Sequence, residues 1–321
     1  MKNLSEYRKA LFSPDTEIFT TNGWEFVTKI NSDDNIAVLQ NSNLVFTELL
    51  SVSNNEYIGK IFDIKNEAIE AILFPECNYF CHQTINGKLK SQIVKSPKTM
   101  CIKNTFKWTP VDVVTLPPHL LQNDFIKFLC YYIKFGKIEF LLNRQTTKPK
   151  IIKRVKISCK NEKDANELKT ILLQVNKILP FELDCKIKNL DFIISNNSVG
   201  LFLQKFGYQK CSTIIDEVKN MPPEYLSIFV NMMFPVKEAK FFCENEKLAE
   251  DILEIILKSG KSGVLQNIEN GFIVKCFNKK DTGVKINPSC ISSSQFNGTV
   301  YIIELPNLPI LVRKNGKCCW L

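Results

Sequence analysis

Apolar and polar residues alternate in short runs over the first third of the chain, recur at helical spacing through the middle, and alternate again at the end. Ile18 and Phe19 lead into a turn with Asn22-Gly23 at its tip, and Trp24, Phe26 and Val27 resume the apolar pattern. Asn-Gly between apolar runs is a strong hairpin signal. Further strands are predicted at 36–39, 44–46, 58–64 and 71–74, and a second hairpin at Asn86-Gly87. The run Phe106-Lys107-Trp108 closes this region before the Pro117-Pro118 break. Many short strands with frequent turns predict an all-β unit.

The period then changes. Residues 124–135 carry Phe125, Phe128, Leu129, Tyr132 and Ile133 on one helical face. Strands are predicted at 139–142 and 154–158, and an amphipathic helix over 163–179 with Leu168, Ile171, Leu172, Val175 and Ile178 inward. A strand at 192–194, a short helix at 199–206 and an apolar helix at 225–234 stopped by Pro235 follow. An amphipathic helix over 246–259 and a strand over 271–277 complete the middle. The tail returns to strands at 300–305 and 310–312, with Asn315-Gly316 as a turn.

With 321 residues, 45% of them hydrophobic and 23% charged, the chain has the composition of a globular protein with room for two domains. No apolar run reaches membrane-spanning length, and the first residues are too polar for a secretory signal. An intracellular protein, in cytoplasm or virion and not secreted, is expected. Twelve cysteines in such a chain predict buried thiols. The net charge of +9 is uneven, for residues 1–110 balance twelve basic side chains against twelve acidic ones. The densest basic stretch is 134–160, where Lys134, Lys137, Arg144, Lys148, Lys150, Lys153, Arg154, Lys156 and Lys160 face Glu139 alone. Such a stripe suits a polyanion or a solvated surface.

The order Asp15-Thr16-x-Ile18-x-Thr20-x-x-Gly23-Trp24 resembles the opening block of the Hint family, the self-splicing fold of inteins and hedgehog autoprocessing domains. Val300-Tyr301, Leu305-Pro306-Asn307 and Ile310-Leu311-Val312 through Lys317 resemble that family's closing strands, in the variety found in phages and large DNA viruses. The middle resembles a LAGLIDADG homing endonuclease. Leu129 to Gly136 stands where the first motif helix belongs, Phe206-Gly207 with Met221-Pro222-Pro223 leads toward the second, and Phe229 to Lys237 is that second motif. The resemblance implies an α+β fold: a discontinuous all-β Hint horseshoe, 1–110 and 286–321, holding a two-fold pseudo-symmetric αββαββα insertion over 111–285. The paired motif helices would pack on each other, and the sheets would form a saddle in the DNA major groove.

The chemistry of both families requires residues that are replaced here. Splicing needs a Cys or Ser five residues before the block Thr, to attack the preceding carbonyl; Leu11 occupies that place and Ser13 is off register. The Thr-x-x-His that assists scission aligns with Phe74-Pro75-Glu76-Cys77. Only His82 and His119 remain elsewhere, and Cys318-Cys319-Trp320-Leu321 stands where a cyclising Asn is needed. Metal-assisted phosphodiester hydrolysis needs oxygen ligands for Mg²⁺, and Phe135 and Lys237 hold the acid positions, with Glu139 and Glu238 as shifted substitutes. Cys77, Cys81, His82, Cys318 and Cys319 are expected to converge as buried thiols, since their spacing is not a zinc pattern.

The reading is a catalytically degenerate protein kept for DNA binding or for a structural, virion role. Its partners would be double-stranded DNA or viral structural proteins, with no membrane and no cofactor. Arg144, Lys148, Lys150, Lys153, Arg154 and Lys156 would contact DNA. The alternative is an active LAGLIDADG endonuclease, which would bring Mg²⁺ with it.

Overall fold

The computed structural model describes residues 7–77, 79–85, 88–94, 100–102, 106–109, 122–143, 150–179, 183–236, 240–277 and 284–321. Asn86-Gly87, Pro117-Pro118 and His119 lie outside the described residues. In chain order the strands begin with β1 (Tyr7–Phe12), β2 (Glu17–Thr20), β3 (Gly23–Phe26), β4 (Asn35–Gln40), β5 (Asn43–Glu48), β6 (Ser51–Lys65), β7 (Glu70–Leu73), β8 (Tyr79–Ile85), β9 (Lys88–Val94) and β10 (Met100–Ile102). Then come α1 (Asn123–Phe135), β11 (Gly136–Asn143), β12 (Lys150–Ser158), α2 (Glu162–Ile178), β13 (Cys185–Lys188), β14 (Asp191–Ile194), α3 (Asn197–Leu203), α4 (Asp216–Lys219), α5 (Pro223–Met233), β15 (Lys240–Cys243) and α6 (Glu246–Lys258). The last strands are β16 (Ser262–Ile268), β17 (Gly271–Phe277), β18 (Val284–Ile286), β19 (Ile291–Pro306), β20 (Leu311–Lys314) and β21 (Lys317–Trp320).

The chain is a mixed α+β protein of two compact units. Met1–Thr109, Gly260–Glu269 and Ile273–Leu321 form the first, and Pro110–Ser259 with Asn270–Phe272 the second. The sequence boundaries 111–285 assign β16 and β17 to the insertion, whereas this division gives them chiefly to the first unit. The physical reason is a ladder to the tail: Val264 pairs with Lys317, and the Leu265 N–H donates to the Gly316 carbonyl at 2.9 Å.

In the first unit β19 and β6 make a long antiparallel ribbon, from Ile291 opposite Ile64 to Glu304 opposite Ser51. The strand β1 lies on the other edge of β19, with Tyr7 opposite Pro306, and β7 lies on β6. A second sheet has the order β18-β10-β8-β9. A third runs β17-β16-β21-β20-β2-β4-β5, with β3 on β2. The early and late segments are thus strand neighbours in all three sheets. Their shared core holds Phe12, Ile18, Ile36, Val38, Leu73, Phe74, Val300, Ile303, Ile310 and Val312.

Turn chemistry explains two hairpins, one against expectation. Thr20 pairs with Gly23, so the loop is Thr21-Asn22 and Gly23 already begins β3, with φ +106°. The Thr20 hydroxyl accepts from the Asn22 N–H at 3.0 Å and donates to the Gly23 carbonyl at 3.0 Å, closing the turn one residue early. At the tail Asn315 (φ +49°) and Gly316 (φ +72°) are the loop, the left-handed pair a type I′ hairpin requires. A Cβ on Gly316 would collide with the Leu265 carbonyl.

In the second unit α1, β11, β12, α2, β13, β14 and α3 follow one another, and the sheet has the order β11-β12-β14-β13. Asn161, Asn196 and Asn245 cap α2, α3 and α6 by accepting backbone N–H bonds. The expected pseudo-symmetry is not carried strand for strand. Between α1 and α2 stand strands of eight and nine residues; between α5 and α6 the described chain holds only the four-residue β15. Residues 234–245 are too few for a hairpin of the first kind. Among the described residues no helix is long and apolar enough to cross a membrane.

Candidate functional site

Leu11 lies in β1 opposite Ile302 and packs against the core of the first unit. Beside it Ser13 is buried, its hydroxyl donating to Asp15 at 2.6 Å and lying 3.1 Å from the Thr16 hydroxyl. Burial raises the Asp15 carboxyl, but its bonds from Lys314 and Ser13 outweigh this and hold it below the ordinary value. Where a Thr-x-x-His would stand, Phe74 is fully buried. Its ring meets Tyr57 edge-on at 5.2 Å and Phe296 at 5.8 Å. Cys77 and Cys319 belong to the same apolar core, while Cys318 lies by Arg313 and Glu17. Burial pushes the Cys318 thiol up to about 12 and the Cys319 thiol up as well. These groups have the surroundings of structural thiols, and leucine at position 11 supplies no attacking atom. Among the described residues no three His, Cys, Asp or Glu side chains are arranged to hold a metal ion.

In the second unit α1 and α5 lie against each other. The Cys130 thiol reaches the Phe229 carbonyl at 3.8 Å, and the Lys134 ammonium donates to the Met232 carbonyl at 2.7 Å. Lys134 is therefore bound to the carbonyl end of α5, which attracts a cation; burial lowers its pKa. Phe135, at the acid position of the first motif, packs beside Tyr131 with the Lys160 ammonium 5.6 Å from its ring centre. Lys237 and Glu238 lie outside the described residues.

A cavity of about 560 Å³ opens at this end of α1, lined among the described residues by Lys134, Lys137 and Lys210 with Glu244 the one acid. Glu139 is unsuited to a metal. Arg154 binds it at 3.0 and 2.5 Å and Lys137 at 3.0 Å, and these bonds hold its carboxyl below the ordinary value. Among the described lining residues a phenyl ring, three ammonium groups and the single carboxylate of Glu244 do not make an oxygen-ligand set for Mg²⁺.

The sheet β11-β12-β14-β13 has two unlike faces. Ile138, Val155, Ile157, Phe192 and Ile194 are buried on one. Cross-strand register assigns Lys137, Glu139, Arg154, Lys156, Asp191, Ile193, Lys186 and Lys188 to the other. Lys156 pairs with Asp191 at 2.6 Å, a bond that lowers the Asp191 pKa.

Of the six cations expected to contact DNA, Arg154 and Lys156 are found on this open face, and strand register gives Lys150 the same parity. Lys153 points the other way, because successive strand residues alternate: its ammonium donates to Gln204 at 2.5 Å, and its stem abuts Gly200 of α3. Lys150 begins β12 opposite Asn143. Arg144 and Lys148 lie outside the described residues. Sequence reasoning missed Lys186 and Lys188, whose signal was the alternation in Cys185-Lys186-Ile187-Lys188, and it counted Lys137 in the stripe without assigning it to the face.

No family model matches the chain, and no curated protein matches it. Among solved structures it is similar to a splice-inactive variant of the AceL NrdHF class 3 split intein. The two are 13% identical, with 45% of this chain and 71% of that chain covered and a TM-score of 0.23. A likeness at that level carries no argument about what this chain does.

Proposed function

We propose that the chain is a catalytically silent relative of intein-borne homing endonucleases that binds duplex DNA through the open face of β11-β12-β14-β13. The observation that carries this reading is the charge on that face: Lys137, Arg154, Lys156, Lys186 and Lys188 stand against Glu139 and Asp191. Helix α3 packs on the opposite side of the sheet, where Gly200 meets the stem of Lys153. Cations spread over an antiparallel face suit the regularly spaced phosphates of a duplex. The intein-like half of the reading draws support from the ladders joining the first and last segments of the first unit. The endonuclease-like half draws it from the α-β-β-α-β-β-α order and the packing of α1 on α5. Loss of catalysis accords with Leu11, Phe74 and Phe135, none of which can donate a nucleophile, a proton or a metal ligand.

Fluorescence anisotropy of a labelled duplex of random sequence tests this function. Binding at low salt that weakens in Lys186→Gln/Lys188→Gln is the expected result. Absence of binding would refute it and leave the structural, virion role. Nicking in Mg²⁺ that vanishes in Glu139→Gln would instead establish the endonuclease.

A further inference from the structure

Beside the outer edge of β11 runs the segment from Gly207 to Ser212, and it is closed by its own backbone. The N–H groups of Ser212 and Thr213 both donate to the Phe206 carbonyl, at 2.7 and 3.1 Å. Gly207 has φ +151°, and a Cβ there would strike the Lys210 carbonyl, so the closure requires glycine. The Ile138 N–H donates to the Gln209 carbonyl at 2.7 Å, fastening the loop to the strand. On this pinned loop Tyr208 stacks on Phe140, ring centres 4.7 Å apart and planes 21° apart, yet 67% of Tyr208 stays exposed. Phe140 covers one side of the ring. The other faces outward, and an exposed aromatic held on a rigid support loses little conformational freedom when a flat partner joins the stack. Lys205 and Lys210 flank it in sequence, both exposed and neither in an ion pair among the described residues.

We propose that Tyr208 is a stacking platform for an unpaired base and that this edge of the second unit binds single-stranded DNA. Stacking on an aromatic ring with lysines beside it to meet the phosphates is how sequence-tolerant binding of single strands is achieved. A duplex, whose bases are already stacked, offers no free base face to Tyr208. The choice of DNA over RNA rests on the duplex reading above; the stacking itself does not. The two proposals use different residues and fail separately.

The full chain is titrated into a fluorescein-labelled oligo(dT) strand and, separately, a blunt duplex. Wild type should bind oligo(dT) at low salt. Tyr208→Ala, and Tyr208→Leu, which still covers Phe140, should each weaken that binding about tenfold while leaving the duplex affinity unchanged. Tyr208→Trp should retain it, with indole fluorescence quenched on addition of oligo(dT). Lys186→Gln/Lys188→Gln should do the reverse of Tyr208→Ala. Equal oligo(dT) affinity for wild type and both truncated variants, or no saturable binding by wild type, would overturn the proposal. Tighter binding of oligo(U) than of oligo(dT) would overturn the assignment to DNA.

Discussion

Glu17 and Arg313, 296 positions apart, face each other across the β2–β20 ladder and form a two-armed ion pair. Nε donates to one carboxylate oxygen at 2.7 Å and Nη2 to the other. The guanidinium also lies 4.8 Å from the Trp24 ring centre, and Arg313 is only 3% exposed. Lys314 repeats the connection by binding Asp15. The opening hairpin is thus clamped to the tail by two charge pairs as well as by strand pairing. Removing one partner of a buried pair leaves the other charge unsolvated, at a cost of about 3–5 kcal/mol. Arg313→Met should therefore lower the urea midpoint strongly. Glu17→Gln/Arg313→Met should recover part of that loss, and a double change no milder than Arg313→Met alone would show the pair to be energetically idle.

On the proposed intein-like reading Leu11→Cys puts a sulfur where splicing would begin, while Phe74 and its aromatic neighbours fill the place that reading gives to an assisting histidine. Intact-mass spectrometry in excess dithiothreitol should show one uncleaved species. Release of a fragment ending at Ala10 would mean that the first unit keeps autoprocessing machinery in other residues.

Glu139→Gln separates binding from catalysis. The carboxylate occupies Arg154 and Lys137, so its neutralisation should free both and tighten duplex binding a few-fold; the endonuclease alternative predicts loss of cleavage instead. The same substitution has a pH signature. The folded pKa of Glu139 is depressed, so its stabilisation is present above the ordinary value of 4.5 and is lost as pH falls through the lower folded value. Wild type should lose stability more steeply than Glu139→Gln below about pH 4.5, as followed by melting temperature; parallel curves would contradict the pairing.

Asp251 is 1% exposed in α6 and accepts from the Thr213 hydroxyl at 2.7 Å and the Ile214 N–H at 2.8 Å, with Lys219 at 3.3 Å. It ties the segment before α4 to α6. Asp251→Ala strips the buried Ile214 N–H of its acceptor, while Lys219 keeps Asp216 and Glu254, and it should cost about 2 kcal/mol in urea unfolding. A change below about 1 kcal/mol would mean that water replaces the carboxylate.

The helices were legible because their apolar spacing is also their burial: Phe125, Phe128, Leu129, Tyr132 and Ile133 are all buried in α1. The tail turn was legible because Asn315-Gly316 suits two left-handed residues. The full β6–β19 ribbon was not. Asn54, Asn55 and Glu56 are exposed, so no alternation marks the strand through them, and only pairing with distant residues defines it. The candidate DNA surface was half legible. A basic stripe in sequence does not reveal which lysines share a face, and strand alternation turned Lys153 toward α3 while β13 brought in Lys186 and Lys188 from elsewhere. The stack of Tyr208 on Phe140 had no local signal, since it forms between residues that only the fold brings together.

The salt dependence of duplex binding tests the central claim most directly. Each phosphate neutralised contributes about −0.9 to the slope of log K against log salt. The exposed Lys186 and Lys188 alone predict a slope of about −2 or steeper for wild type, shallower by about two in Lys186→Gln/Lys188→Gln. A slope near zero, or no saturable binding at about 50 mM salt, would contradict a DNA-binding face on this sheet.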